Sequence, residues 1–513
     1  MKKQYFHESK IPDFPESYWL ASTTLPDFTK LTQDVKVDAA IVGAGITGIL
    51  TAYLLSKKGL KVALVEAGHL LSGTTKHTTA KITAQHDLIY SELLSHFGKE
   101  KAIMYYDANR EAMEFIKKMV REQEILCDLM EEDAYIYTSS NAYVSKLTSE
   151  IQAYEALGIP GTYVEQTLLP FSVEGAIVMP KQAHFHPAAF IVHMVKEVIR
   201  LGGDIYENTT AISADPGTTI SLTTSEGYKI TADYIVSCSH FPFYDGGGFY
   251  FSRLHAERSY VLLAETEKAY PQGMYLSAEE PKRSLRPITV DGKRMVLIGG
   301  ESHKTGQGIC TIKHYEALQQ FGEETFGLKE IHYRWSAQDL ISLDKIPYVG
   351  PIASDKPNIL VATGYKKWGM TSSVAAALLN SRLILGEDTL YSELFTPSRF
   401  HTDPDIKTFL IQNADAAGHF IAGKLEMVHQ TTEELQNDEG AVVRVHGKRA
   451  GAYRDPQGKL HVVDTTCTHM GCEVEWNAGE RTWDCPCHGS RFSYEGDVLE
   501  GPAAKSLRRI ESY

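Results

Sequence analysis

The sequence predicts an α/β domain built on a parallel sheet, with a second region inserted into it, followed by a small all-β unit. Three observations carry that expectation. Near the front, a short strand runs into three spaced glycines, a helical pattern, a second strand and an acid. From Gly440 onward the pattern changes to short strands and turns. Inside that last unit sit two short Cys/His pairs, Cys467 with His469 and Cys485 with His488. A chain of 513 residues is also too long for one domain, so two or three are expected.

The front element comes first. Residues 35–42 alternate, then end in an apolar run, as a strand entering a buried sheet does. Gly43, Gly45 and Gly48 follow in G-x-G-x-x-G spacing, then a helical stretch over 49–56, Gly59, and a strand over 61–66. Gly43 suits the tight turn, Gly45 lets backbone approach a pyrophosphate, and Gly48 lets helix and strand pack closely. The helix start offers free N–H groups and a positive dipole end to phosphates. Glu66 lies eighteen residues after Gly48, near the spacing of about 20 at which an acid meets the adenosine ribose. In register, these parts predict dinucleotide binding. The fingerprint alone does not separate FAD from NAD. Hydroxyl-rich residues 72–83 follow, suited to line a pyrophosphate and flavin. Residues 299–306 are glycine-rich but lack the strand–helix frame and the acid, so NAD(P)H is not expected as primary donor.

The C-terminal pattern reads C-x-H, fifteen residues, C-x-x-H. Two thiolates and two imidazoles in that order suit a [2Fe–2S] centre in which His replaces Cys on one iron. The set also fits zinc by ligand type. Zinc fingers usually pair Cys with Cys and His with His, whereas each loop here mixes one of each; that favours the cluster. Zinc or a plain disulfide stands as the alternative. Cys127, Cys238 and Cys310 are isolated and read as small buried apolar residues.

Composition narrows the class. The net charge of −14 argues against a nucleic-acid surface. No run of about eighteen apolar residues exists, so no membrane span is expected. Met1-Lys2-Lys3 continues without an apolar stretch, so no secretory signal is expected and a cytoplasmic place is the default.

Two resemblances add to this. Residues 467–472, 485–490 and 501–503 resemble the Rieske family of the cytochrome bc-type and related reductases. The resemblance implies that Cys467 and Cys485 ligate one iron, that His469 and His488 ligate the other, and that Cys472 and Cys487 form a disulfide clamping the loops. It implies a Ser490 hydroxyl bonded to a bridging sulfide. High-potential members carry a tyrosine two residues on, bonded to a ligand sulfur; this chain has Phe492. Its potential is therefore expected below the top of the Rieske range of roughly −150 to +300 mV.

Residues 36–390 resemble the amino-acid-oxidase (glycine oxidase, sarcosine oxidase) superfamily of FAD enzymes, on the fingerprint and on residues 203–211, 232–239, 344–350, 362–364 and 368–370. This implies FAD contacts at Ala211, Gly364, Gly369 and Met370 beside Gly43, Gly45, Gly48 and Glu66. The superfamily's substrate-carboxylate Arg and Tyr have no clear match; Arg334, Tyr333 and Tyr365 are candidates. His77 is a candidate for covalent flavin attachment, His184 and His186 for facing substrate, and Lys366 and Lys367 for the flavin locus. Tyr260 and Trp335 are candidates for a pocket. Each has a bland alternative as a core or solvated residue.

The expected organisation is an N-terminal extension over 1–35, an FAD-dependent oxidoreductase over 36–424 and a Rieske domain over 425–513. The FAD parts are placed at about 36–86, 180–240 and 341–390, and the substrate parts at about 87–179 and 241–340. A helix over 404–425 with Asp403 as N-cap precedes the last domain. The expected function is oxidation of a small organic substrate, an amine or amino acid, with single electrons relayed from flavin to the [2Fe–2S] cluster and on to an external acceptor. Two alternatives stand beside it: an O₂-using oxidase whose cluster tunes or senses, and a non-catalytic redox sensor. No catalytic residue is assigned.

Overall fold

A computed structural model describes residues 10–217, 219–308, 311–387, 389–401, 403–425 and 428–510. Cys310 lies outside the described residues.

The expected front strand is two strands. Val35–Lys36 joins a four-stranded sheet, while Ala39–Val42 enters the central parallel sheet. That sheet has six strands, in the order Tyr348–Pro351, Ile359–Thr363, Tyr234–Ser237, Ala39–Val42, Val62–Val65, Asp204–Tyr206. All neighbours are parallel except the first pair. Ala39–Val42 and Val62–Val65 are buried throughout, as strands covered on both faces must be. Helices Ile46–Lys57, Pro187–Arg200 and Gly369–Leu385 supply the cover.

The second sheet has nine strands and mixed direction, and two long neighbours form its edge: Leu328–Ser342 and Leu254–Thr266. Gly175–His184 and Lys81–Ile82 also belong to it. The chain therefore returns to the parallel layer with helix Pro187–Arg200, not at 180, and leaves it before 86.

Helix Asp405–Leu425 begins one residue later than its sequence pattern suggests. The Pro404 carbonyl accepts the first helical bond, from Thr408 N–H, and the Asp405 carboxylate accepts from His401 N–H at 2.6 Å. Asp403 is thus not the cap. Beyond it lies the all-β unit. Glu439–Val445, Lys448–Arg454 and Leu460–Val463 form one antiparallel sheet, and Glu475–Asn477, Thr482–Asp484, Arg491–Ser493 and Val498–Glu500 another. Its small core closes on Val474, Trp483 and Phe492. Among the described residues no helix is long and apolar enough to cross a membrane.

Candidate functional site

The fingerprint opens onto one cavity of about 1500 Å³. Ordinary single-ligand pockets run to roughly 300–1,000 Å³, so this one has room for a dinucleotide and a further molecule. Gly43, Gly45, Glu66, Ala211, Gly369 and Met370 line it. Gly48 and Gly364 do not. Gly48 is instead the packing glycine: a Cβ there would stand 1.9 Å from the Gly43 carbonyl oxygen. Gly364 adopts φ +77° in the turn after Ile359–Thr363, and a Cβ there would meet Leu254 at 3.3 Å and Ser342 at 3.5 Å.

Glu66 is already organised. Its carboxylate accepts from Ala44 N–H at 2.8 Å and Gly68 N–H at 3.0 Å. Burial still pushes its pKa up. Residues 72–79 and Lys81 run along the cavity wall, as their hydroxyl-rich sequence suggested. His77 lies among them, half-buried, with its Nδ1 inside and unpartnered and desolvation holding its pKa far down.

The other candidates divide. Tyr365 lines the cavity and shares a 3.0 Å hydrogen bond with Thr47. Lys366, Lys367, Tyr260 and Trp335 line it too. Arg334 does not: it donates to the carbonyls of Pro12, Asp13 and Gly479, at 2.6, 2.8 and 2.8 Å. It ties the N-terminal segment, the long strand and the C-terminal unit together. Tyr333 packs on Tyr18 at 5.6 Å. His186 caps helix Pro187–Arg200 and bonds Ser22, and His184 bonds Arg286 at 2.9 Å; neither lines the cavity.

Two acids absent from the sequence reading, Glu257 and Asp339, stand in the cavity wall beside Lys367. Lys367 Nζ sits 3.5 Å from Glu257 and 3.6 Å from Asp339, with no closer hydrogen-bond partner. Burial pushes Asp339 up to about 6; Lys367 opposes this and Glu257 adds to it. The available signal was one acid in the interior of each of two long strands.

Cys467, His469, Cys485 and His488 sit on two neighbouring loops. The imidazole rings are 5.0 Å apart and nearly perpendicular. Cys467 and Cys485 are buried thiols. The hydrogen bond from Cys485 brings Cys467 down to about 7, helped by the His469 and Met470 N–H groups and the Ser490 hydroxyl. Burial holds His469 and His488 neutral, His488 at about 4, and His488 Nδ1 is buried without a partner. Cys485 is pushed up by that same Cys467 contact and by burial, so the pair shares one proton; two buried, mutually bonded thiols facing two neutral imidazoles, one with an orphaned nitrogen, fit a two-iron cluster. Cys472 and Cys487 are joined by a disulfide. Phe492 is fully buried and carries no hydroxyl to offer a sulfur.

The two sites share a wall. Leu254–Thr266 and Leu328–Ser342 pair with Arg258 opposite Gln338 and Glu257 opposite Asp339. Side chains alternate between the two faces of such a ribbon. His255, Glu257, Ser259 and Val261, with Ala337, Asp339 and Ile341, line the cavity. Ala256, Arg258, Ser336 and Gln338 face the cluster unit. Gln338 Nε2 donates to the Gly489 carbonyl at 2.9 Å, and Arg258 Nη2 to Glu500 at 3.1 Å. Gly489 is φ +77° and lies so close that a Cβ would meet Ala256 Cβ at 2.4 Å. Phe251, from helix Tyr250–Arg253, sets its ring 6.0 Å from both imidazoles.

The family model for FAD dependent oxidoreductases matches residues 38–383. The chain belongs to that family. A second model, the Rieske [2Fe-2S] domain, matches residues 426–512. The chain is 48% identical over 511 residues to the putative Rieske 2Fe-2S iron-sulfur protein YhfW of Bacillus subtilis, covering 100% of both. It is 20% identical to gamma-glutamylputrescine oxidoreductase of Escherichia coli over 74% of this chain and 90% of that one. Glycine oxidase from Geobacillus kaustophilus shares the fold, with TM-score 0.62 and 18% identity over 71% of this chain and 99% of that one. The protein is an FAD-dependent oxidoreductase with a Rieske domain, and its cofactors are FAD and a [2Fe–2S] cluster.

Proposed function

We propose that this oxidoreductase oxidises an amine or amino acid and relays the electrons singly through its Rieske cluster to an external acceptor. The observation that carries the reading is the two-strand ribbon, with the flavin cavity on one face and the cluster loop pressed on the other. Bound FAD would take a hydride equivalent from the C–H beside nitrogen, and the cluster would carry its electrons onward one at a time.

The ligand roles follow the geometry. Gly43, Gly45 and the start of helix Ile46–Lys57 would hold the pyrophosphate, and Glu66 the ribose. Cys467, His469, Cys485 and His488 would hold the irons. Glu257 and Asp339, on the cavity wall beside Lys367, would accept a proton leaving the substrate amine.

Deeper in the cavity, Lys81 donates to the Tyr275 carbonyl at 2.8 Å and is lowered to about 7 by burial and by Arg286. Neither cation has a carboxylate at ion-pair distance among the described residues. An anionic group arriving at Lys81 would restore its charge, which supports an amino acid, or an amine bearing an acid, over a plain amine.

The test is anaerobic mixing with a panel of α-amino acids and amines, followed by flavin absorbance and cluster EPR. Bleaching of the flavin, then appearance of the reduced cluster signal, is expected, with ferricyanide restoring both. A cluster that stays oxidised after full bleaching overturns the relay. A flavin bleached by no member overturns the substrate class.

A further inference from the structure

The flavin cavity is not closed by the flavin domain alone. Residues 497–504 and Ser506, from the Rieske domain, form part of its wall. They lie beside the loop that follows strand Tyr234–Ser237: a Cβ on Gly501 would stand 3.5 Å from Phe241, itself a lining residue. Glu500, within this wall, is gripped by Arg258 from the ribbon.

The same segment is fastened from behind by both cluster loops. Ser490, two residues after His488, accepts a hydrogen bond from Ala503 N–H at 3.0 Å and is fully buried. Thr468, between Cys467 and His469, donates to the Lys505 carbonyl at 2.5 Å. Ala503 and Leu507 are themselves buried against the cluster core. One short segment therefore touches the FAD cavity on one side and each metal-binding loop on the other.

We propose that residues 501–507 belong to the FAD site, and that the cluster loops hold them there, so that FAD retention and cluster occupancy stabilise each other. A bound cluster fixes the two loops by four ligand bonds. Fixed loops present Ser490 and Thr468 in position, which fixes the wall against FAD. Without a cluster the loops lose those four bonds and keep the Cys472–Cys487 disulfide and the contacts of Cys467 with Cys485 and Ser490, and the wall loses part of its backing. Coupling of this kind is reciprocal: whatever the cluster adds to FAD affinity, FAD adds to cluster affinity. The inference does not depend on the direction of electron flow or on the substrate.

The experiment uses the full chain with the cluster loaded, as checked by iron content. Deflavinated protein is titrated with FAD and the dissociation constant read from flavin fluorescence. Ser490→Ala is expected to weaken FAD by about fivefold, the lower end of ordinary coupling between sites. Thr468→Val, at an exposed hydrogen bond, weakens it less, and Thr468→Ser, which keeps the hydroxyl, matches the parent. In the reverse arm, a chelator should strip iron faster from deflavinated than from FAD-loaded parent protein, again by about fivefold. Circular dichroism separates loss of coupling from loss of fold. FAD affinity unchanged in both Ser490→Ala and Thr468→Val, or iron release indifferent to FAD, overturns the proposal.

Discussion

The two cofactor sites are built in opposite ways. The cluster site is local: four donors on two loops, within 467–488, backed by one disulfide. The flavin cavity is distributed, drawing on segments from Pro15 to Ser506, with no single side chain dominating. A local metal site concentrates its free energy in a few bonds, so one substitution decides occupancy. A distributed cavity spreads its contacts over many weak terms, so one substitution trims it. The ribbon between them inherits features of both, because a few buried charges dock one domain on the other.

The largest effect should come from the local site. In Cys467→Ser the thiolate ligand is lost, and cluster affinity should fall by more than about 100-fold, since even outer partners of a metal site cost 10–100-fold. Iron analysis and the missing cluster absorbance check this. FAD should still bind, more weakly; complete loss of both cofactors would break the contrast. Next comes the seam. Arg258 is fully buried, 3.1 Å from Glu500 and 3.8 Å from Asp484. Arg258→Met leaves the buried Asp484 and the half-buried Glu500 short of a partner, and breaking a buried pair costs about 3–5 kcal/mol. Denaturant unfolding of the holoprotein should show that loss, with the C-terminal domain melting ahead of the flavin domain. A single unchanged transition would mean that Arg491, which also meets Glu480, Asp484 and Glu500, carries the seam without Arg258.

What was legible in the sequence follows the same divide. Ligands with fixed short spacing show themselves, because thiolate, imidazole and the glycine turn admit few substitutes. The [2Fe–2S] cluster and a bound dinucleotide could be read that way; that the dinucleotide is FAD came from the resemblance to the amino-acid-oxidase superfamily. Arg334 could not: a buried arginine looks alike in sequence whether it binds a substrate carboxylate or, as here, three backbone carbonyls. The wall at 497–506 was invisible, because it exists only once two domains dock. The expected boundary at about 180 falls inside strand Gly175–His184 of the nine-stranded sheet, because a sequence pattern does not say which sheet a strand joins. Glu257 and Asp339 became a pair only through cross-strand register.

A smaller effect, on pH dependence, tests the distributed site. Asp339 has its pKa raised by burial to about 6, from an ordinary 3.8. As a proton acceptor it works when ionised, so the rate of flavin reduction should rise with pH through a midpoint near 6 and level above it. Asp339→Asn should remove that limb. The stability sign is opposite. The folded state holds this proton more tightly than the unfolded chain, so the contribution is fully present below about 3.8 and lost as pH rises through about 6. A rate limb that survives Asp339→Asn would assign the proton to another group in the cavity.

The smallest expected change returns to the local site and sharpens the contrast most. Phe492 is buried in the cluster domain's core, paired across strands with Trp483. By its resemblance to the Rieske family, this is the position from which a tyrosine hydroxyl bonds a ligand sulfur. A donor to sulfur stabilises the more negative reduced cluster over the oxidised one, so Phe492→Tyr should raise the midpoint potential. A shift of roughly 60 mV corresponds to tenfold in a one-electron equilibrium, the scale expected of one hydrogen bond to a charged group. EPR-monitored redox titration measures it. The flavin potential, read from absorbance in the same titration, should stay fixed, because a hydroxyl at the cluster alters one local bond and leaves the wall at 497–506 in place. A flavin potential that moves with the cluster's would show that the wall transmits the change. A cluster potential that does not rise would mean that docking against Phe251 and the ribbon, not the hydrogen bonds to sulfur, sets it.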